Sequence, residues 1–513
     1  MAVASPTAAT ASRAGTLPYA EGGPAQANPA AGLAPESRRY IDAEDGNDDN
    51  DGKSSDRPWR SLGTIAAKRA SFPPDTHVLL RRGRVWRGDL DFSGVHGADG
   101  QRMVLGAYGM PLSARPIVKG TVQASNSSHL TIRDFDCIKI DVSGEANQVL
   151  VFDNVVHGCA EADEWPSNGI RVFGPAHHIA IVQNLVYDLR ANDCIAIHPN
   201  GGKIGVRNAF WIVDNVCIGN SGMEDGIDLA MSQPEDGNDS VVGRDVKVIG
   251  NRIQAQALAG LSARSGRGGK CLSAGHQGTH LWIIGNTMGG SQHIGVNLGS
   301  QKRGVQVSGN VIFNCANNQV KTTSELLAQE LRAEHNTIVH AMPNRAAVKL
   351  PAAIGSFVYN LALRTVPGGQ WVEIAPGPAE RANAAMDHNW FGYAENPTLD
   401  GKPWSVWRET MGLDLHSTAG GVPGVTAPAA SQFNDDPRNW RDQAFLKHFV
   451  PQPDWAGCAG ENTPGAFDCH GRRLGATLRP FPDLAENQGY GWEGPPIVRL
   501  RYPLPNAGRP AAK

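Results

Sequence analysis

The chain has 513 residues, is 41% hydrophobic and carries a formal net charge of −3. That length allows a large core or a long solenoid. The charge leaves no electrostatic footprint for a nucleic-acid partner, and no apolar run reaches the roughly 18–20 residues of a membrane span.

The first 39 residues are rich in Ala, Pro and Gly. They lack the basic start and apolar core of a signal peptide, and a flexible tail is expected. Residues 40–75 read as an entry segment: a short strand, an acidic turn, a Pro-aromatic pair, then "SLGTIAA", a helix able to plug one end of a core. Within it "EDGNDDNDG" (44–52) has the spacing of a calcium loop at Asp45, Asn47 and Asp49. The sixth position is Asn50 where that loop needs glycine, and no Glu closes it. Turn formation explains the acids better.

From residue 76 to 375 the chain repeats itself. "VLVFDNVV", "IAIVQNLV", "FWIVDNVC", "VKVIGNRI", "LWIIGNTM", "VQVSGNVI", "LRAEHNTI" and "SFVYNLA" carry Asn154, Asn184, Asn215, Asn251, Asn286, Asn310, Asn336 and Asn360. Before each Asn except the last, apolar residues fall at −5 and −3, the period-two pattern of a strand with one face inward. No sustained helical period is present, and hairpin turns are too sparse for a sandwich. Spacings of 24 to 36 residues match coils of a parallel β-helix, so the fold is expected to be all-β. An inward Asn at a bend can bond the neighbouring coil. The longer spacings place extra loops between Asn154 and Asn286, where a solenoid would build its site. Residues 376–513 are left as an irregular closing segment and tail. Of eight cysteines, Cys458 and Cys469 lie close enough to pair, and the other six fall in the repeats as small core residues.

Three segments can be set in register: "NGIRVF" (168–173), "DCIAIH" (193–198) and "DGIDLA" (225–230). Ile170, Ile195 and Ile227 would stack inward, and Arg171, Ala196 and Asp228 would turn outward. Asp193 and Asp225 would then sit at the same bend one coil apart, about 4.8 Å, with Glu224 and Asp228 beside them. Carboxylates that close repel unless neutralised, and calcium, which takes six to eight oxygens, could be held there. The other reading is that Asp and Asn recur at bends for turn chemistry alone. Among the aromatics, Trp165 in "EADEWPSNG" is the best candidate to stack on a sugar face. Trp211 and Trp282 are as well placed to cover the core, and Trp404 and Trp407 to pack the closing segment. "PEDGNDS" (234–240) reads as a loop tip, and Lys203–Arg207 as a stretch able to touch an anion.

The entry segment, "VLLRRGRVWRGDLDF", "MVLGAYGMPLSARPIVKG" and the late stretches "LDLHSTAGGVPG" and "FDCHGRRLGATLRPFPD" resemble the first and last coils of right-handed parallel β-helix proteins, over roughly residues 40–480. "EDGIDL" further resembles the calcium-binding coil of family 9 polysaccharide lyases, which are pectate-lyase-like β-helices. That resemblance implies Ca2+ held by Asp193, Glu224, Asp225 and Asp228, with Glu224 standing where the family shows Asp. It implies a catalytic base at Lys270, in "GRGGKCLSAGHQG". The family reads Phe-Lys-Leu-Gly-Gly there, which leaves the register of Lys270 open by one residue, enough to turn it from surface to core.

The chemistry so implied is β-elimination on a uronic-acid-containing polysaccharide. A cation stabilises the charge that develops when C5 is deprotonated, and a base takes the proton. Arg264 and His198 are further catalytic candidates; Arg267, His276, Trp165 and Arg171 are candidates for substrate contact. Two other readings stay open: a glycoside hydrolase using paired carboxylates, and a non-catalytic carbohydrate-binding or tailspike-like β-helix. The lyase reading expects an acidic polysaccharide as partner, a monomer, and a secreted or periplasmic location.

Overall fold

The computed structural model describes residues 37–475, apart from 159–167, 190–192, 199–207, 220–224, 230–243, 256–268, 275–278, 300–302, 323–330, 341–344, 351–354, 366–368, 375–384, 393–396, 421–423, 426–442 and 468. The chain winds as a right-handed parallel β-helix.

At the entry, strand Arg38–Ile41 pairs in parallel with His77–Arg81. The acidic turn between them is held from within. Asp48 accepts the backbone N–H groups of Arg60 (2.8 Å) and Ser61 (2.9 Å). Arg84 donates to Asp42 and Asp45, each at 2.9 Å. These are the turn contacts that the sequence pattern called for, with the acids neutralised by arginine and backbone amides. Ser61 then caps helix Leu62–Lys68 by accepting the N–H of Thr64, and the helix buries Leu62 and Ile65 against the first coil. The end of the core is thereby closed by apolar side chains.

Three parallel ladders follow. One is a sheet of thirteen strands that runs from Arg38–Ile41 to Ala385–Asp387. A second carries strands Asp136–Ser143, Ile170–Phe173, Ile195–His198, Asp225–Leu229, Lys270–Ala274, Val296–Leu298, Val320–Thr322, Val348–Leu350 and Val372–Ile374 in succession. The third runs from Val155–His157 to Thr418–Ala419. Alternation drives the arrangement. Val149 and Val151, Ile179 and Ile181, Val246 and Val248 point inward and are buried in one continuous core.

The recurring asparagines form a single ladder at the bend between the first and third ladders. The backbone N–H and side-chain Nδ2 of each donate to Oδ1 of the next, as from Asn215 to Asn251 at 2.9 and 3.0 Å. Nδ2 also reaches a main-chain carbonyl, Ile181 O in the case of Asn215 (2.9 Å). The residue before each ladder Asn lies in the left-handed region, with φ of 52° to 64° from Asp153 through His388. That conformation turns the chain sharply and suits the Asp, Gly and His found there; Gln183 and Tyr359 adopt it as well. A ninth member, Asn389, extends the ladder and bonds Asp414 Oδ1 (3.0 Å) and Ser417 Oγ (2.8 Å). The coils therefore continue past residue 375, through Trp390–Gly392.

The closing segment packs along one flank. Phe445, Phe449, Trp455 and Phe467 cover Val311, Phe313, Val339 and Leu361 of the third ladder. Cys458 and Cys469 form a disulfide there. The described cysteines of the repeats, Cys137, Cys194, Cys217, Cys271 and Cys315, are buried. Helix Trp404–Met411 buries Trp407, whose indole N–H bonds Asp414 at 3.0 Å. Trp211 and Trp282 lie on the outer side of the thirteen-stranded sheet, buried, with the Lys247 ammonium between their rings at 4.6 and 4.8 Å. They are packing residues, and none of these contacts obstructs the outer side of the second ladder.

Candidate functional site

The second ladder confirms the coil register read from the sequence. Ile170 pairs with Ile195 and Ile195 with Ile227, all fully buried, while Ala196 pairs with Asp228. The next coil settles the register of the lysine: Lys270 pairs with Asp225, Leu272 with Ile227 and Ser273 with Asp228. Lys270 thus occupies the bend column of Asn168, Asp193 and Asp225.

That column is itself a side-chain ladder. Asn168 Oδ1 accepts the N–H of Asp193 (3.2 Å), Asp193 Oδ1 that of Asp225 (2.9 Å), and Asp225 Oδ1 that of Lys270 (3.0 Å). Small residues follow each member: Gly169, Cys194, Gly226, Cys271. A Cβ on Gly226 would meet Cys271 O at 2.6 Å and Ile253 Cγ2 at 2.3 Å. The bend is too tight there for a larger side chain, so "NG", "DC", "DG" and "KC" are variants of one turn requirement.

The ladder ends in an ion pair. Lys270 Nζ lies 3.0 Å from Asp225 Oδ2 and 3.3 Å from Oδ1. Asp225 is buried, and desolvation raises its carboxyl to about 7, with Lys270 opposing and the charge of Asp228 adding to the rise. On the outward face, His198 Nε2 is 3.0 Å from Asp228 Oδ2. One ligand atom each of Asp193, His198 and Asp228 fall within 4.8 Å of one another. Two carboxylates and an imidazole at that distance suit a divalent cation with positions left open. Asp225 has both oxygens turned to Lys270. Arg171 donates to Asp141, which also meets Lys139 at 3.3 Å, and its guanidinium lies 5.3 Å from the Phe173 ring.

The structure therefore brings together Asp193, His198, Asp225, Asp228 and Lys270, with Arg171 two coils before Asp228. Trp165, Glu224, Arg264, Arg267 and His276 lie outside the described residues, as do the stretches 203–207 and 234–240.

Sequence reasoning missed what lies beyond Lys270. The outward column continues Asp228, Ser273, Asn297, Lys321, Lys349, Glu373, each Cα-paired to the next. Burial first, then the charges of Lys270, Lys321 and Arg345, lower the basicity of His293. The signal was present as "VKT", "VKL" and "VEI", three short strands with a charged middle residue.

A second cluster, Asp387, His388 and His416, also has ligand atoms within 4.8 Å. Its imidazoles are stacked 5.1 Å apart with planes 12° from parallel, so their in-plane lone pairs do not converge on one ion. Asp387 is occupied by the N–H groups of His388 and His416 and by the His416 ring. The cluster closes a stack that also holds His335 and Tyr359.

No protein-family model matches the chain, and no curated protein does. Several solved structures are similar to it. The GH136 lacto-N-biosidase of Eubacterium ramulus is 14% identical with a TM-score of 0.40, over 74% of this chain and 66% of that one, just under two thirds of its length. Pectate lyase Pel9A is 12% identical with a TM-score of 0.38, over 69% and 79%. A mannuronic-acid-specific family 6 polysaccharide lyase from human gut microbiota is 14% identical with a TM-score of 0.40, over 78% and 94%. Lyases and a glycoside hydrolase both stand among these coiled structures, and likeness at this level carries no chemistry.

Proposed function

We propose that this chain is a polysaccharide lyase that cleaves a uronic-acid-containing polymer by β-elimination. The observation that supports it is the contact of Lys270 with buried Asp225, one coil from Asp193 and beside Asp228. As an amine, Lys270 Nζ takes the C5 proton of the uronate; the electrons form the C4–C5 double bond, and the C4 glycosidic oxygen leaves. Lys270 must first lose its ammonium proton. Asp225, raised to about 7 by burial, can receive it, because a buried site favours the uncharged amine–carboxylic acid pair over two charges. We assign His198, which meets Asp228, as the acid that returns a proton to the leaving oxygen, with the cation left to the carboxylates. Asp193 and Asp228 would hold a divalent cation, calcium by the family resemblance. Such an ion neutralises the uronate carboxylate and stabilises the carbanion-like charge at C5.

The disulfide Cys458–Cys469 supports an oxidising, extracytoplasmic location. Among the described residues no helix is long and apolar enough to cross a membrane. We take the active form to be a monomer, since one outward face of a single chain carries every described candidate.

The test is a panel of uronate polysaccharides assayed with and without calcium, read by the ultraviolet absorbance of an unsaturated product. Cleavage without that absorbance, unchanged by chelator, would overturn the lyase reading. It would favour the hydrolase reading, to which the elevated Asp225 carboxyl beside Asp228 lends an acid and a base.

A further inference from the structure

The outward column of the second ladder is a track parallel to the solenoid axis. Arg171, Ala196, Asp228, Ser273, Asn297 and Lys321 occupy successive coils in Cα register. At about 4.8 Å per coil, the five steps from Arg171 to Lys321 span about 24 Å. Between the two cations the side chains are short: a methyl, a carboxylate, a hydroxyl and an amide. Ala196 and Ser273 are buried at the foot of this track, while Asp228, Asn297 and Lys321 are half-buried and reach its surface.

The cations along the track are not equivalent. Arg171 is bound to Asp141, and Lys349 is bound to Glu373 at 2.5 Å. Lys321 has no ion-pair partner among the described residues, and neither has Arg345. Both are close enough to His293 to depress its basicity, as is Lys270. Among the described residues, Lys321 is therefore a cation without a carboxylate partner, two coils beyond Lys270, about 10 Å along the axis, on the side away from Asp193 and Asp228. A cation left unpaired next to others is costly unless an anion comes to it.

We propose that Lys321 forms a carboxylate subsite for a polyuronate chain lying along the solenoid axis. The inference rests on the lyase reading of the Lys270 site and adds to it a direction and a specificity determinant. A chain seated over Lys270 reaches the subsite with a sugar about two coils further on. There its carboxylate accepts hydrogen bonds from the Lys321 ammonium, while the half-buried amide of Asn297 faces the ring between. A neutral polymer gains nothing from Lys321. Lys321 is a binding residue, remote from the reacting bond, so its loss raises KM and leaves kcat nearly unchanged.

The experiment uses full-length protein carrying Lys270→Ala, so that substrate is bound and not consumed. Affinity for polygalacturonate, alginate and neutral xylan is measured by calorimetry at two salt concentrations. On that background Lys321→Glu is expected to weaken polyuronate binding about tenfold or more, as loss of a charge-assisted hydrogen bond plus repulsion requires. Lys321→Gln should have a smaller effect in the same direction, with an unfolding midpoint equal to the parent. Lys349→Ala, which also frees Glu373, should change affinity less than Lys321→Glu. The affinity lost in Lys321→Glu should be mostly the salt-sensitive part. Equal polyuronate affinity in the parent and in Lys321→Glu overturns the subsite and leaves the lyase reading standing. A parent that binds xylan but neither polyuronate overturns both.

Discussion

Two side-chain ladders run up this solenoid at different bends, and they use the same bond. In the asparagine ladder an amide oxygen accepts the backbone N–H of the adjacent coil from Asn154 to Asn389. In the shorter ladder Asn168, Asp193 and Asp225 do likewise, but toward the following coil, where the asparagines accept from the preceding one. An amide both donates and accepts, so each Asn also satisfies its own Nδ2, on the next Asn and on a main-chain carbonyl. A carboxylate has no donor. Once it has accepted one N–H it still holds lone pairs and a charge that must be met by something else. In this protein that something is Lys270 for Asp225, and for Asp193 and Asp228 an imidazole within reach of both. One ladder is chemically closed; the other carries carboxylate charge that has to be balanced.

The largest effect that bears on this contrast is the loss of Lys270. Lys270→Ala should lower turnover by about 10²- to 10⁴-fold with an unchanged circular dichroism spectrum. Wild-type turnover would remove the base assignment while leaving the ladder geometry intact.

Next in size is damage to the closed ladder. Asn286 is fully buried, and Asn286→Ala orphans the N–H groups of Asn251 along with a carbonyl. A loss of about 2–4 kcal/mol is expected, since each unsatisfied buried group costs about 1–3 kcal/mol. A denaturant midpoint equal to wild type would show that the asparagines are not structural. Asn286→Asp should be worse, because it buries a charge and loses the Nδ2 donor to Val248 O.

The reciprocal substitution probes the carboxylate ladder. Asp225→Asn keeps an acceptor for the Lys270 N–H and removes the titration. Burial pushes the folded carboxyl up to about 7, while the unfolded one keeps the ordinary value of 3.8. Between those values the native state holds a proton that the unfolded state has released, so Asp225 makes stability fall as pH rises through that window, with no further change above it. In chelator, urea midpoints measured from about pH 4 to 7 should fall less steeply for Asp225→Asn than for the wild type. Identical slopes would mean that Asp225 stays ionised across the range.

The smallest effect concerns the cap. Ser61→Ala removes the acceptor of the Thr64 N–H and should cost about 1 kcal/mol, read as a small drop in melting temperature without loss of activity. A large loss of activity would mean that the entry segment communicates with the site.

Much of the fold was legible because its causes are local. Alternation before each Asn sets which side faces inward, and the left-handed residue before it is Gly, Asp, Gln or His at every step except Tyr359. Asn389 escaped because its strand is only Ala385–Asp387, with a single buried apolar residue, Met386. In the site, the register of Asn168, Asp193 and Asp225 could be read, since the inward isoleucines repeat beside them.

What the sequence by itself determined about this protein is the coiled architecture, its inward faces and the stacking of acids at one bend. Each follows from the period-two alternation and from turn chemistry that acts over a few residues. What only the tertiary structure decided is which charges meet. Lys270 finds Asp225 across 45 residues of chain, His198 finds Asp228 across 30, and Lys321 joins the same track although its strand is two coils further on. Loops of unequal length separate these strands, so spacing alone cannot align them. The hydrogen-bonded register of the sheet, with the small residues its bend requires, places them on one face.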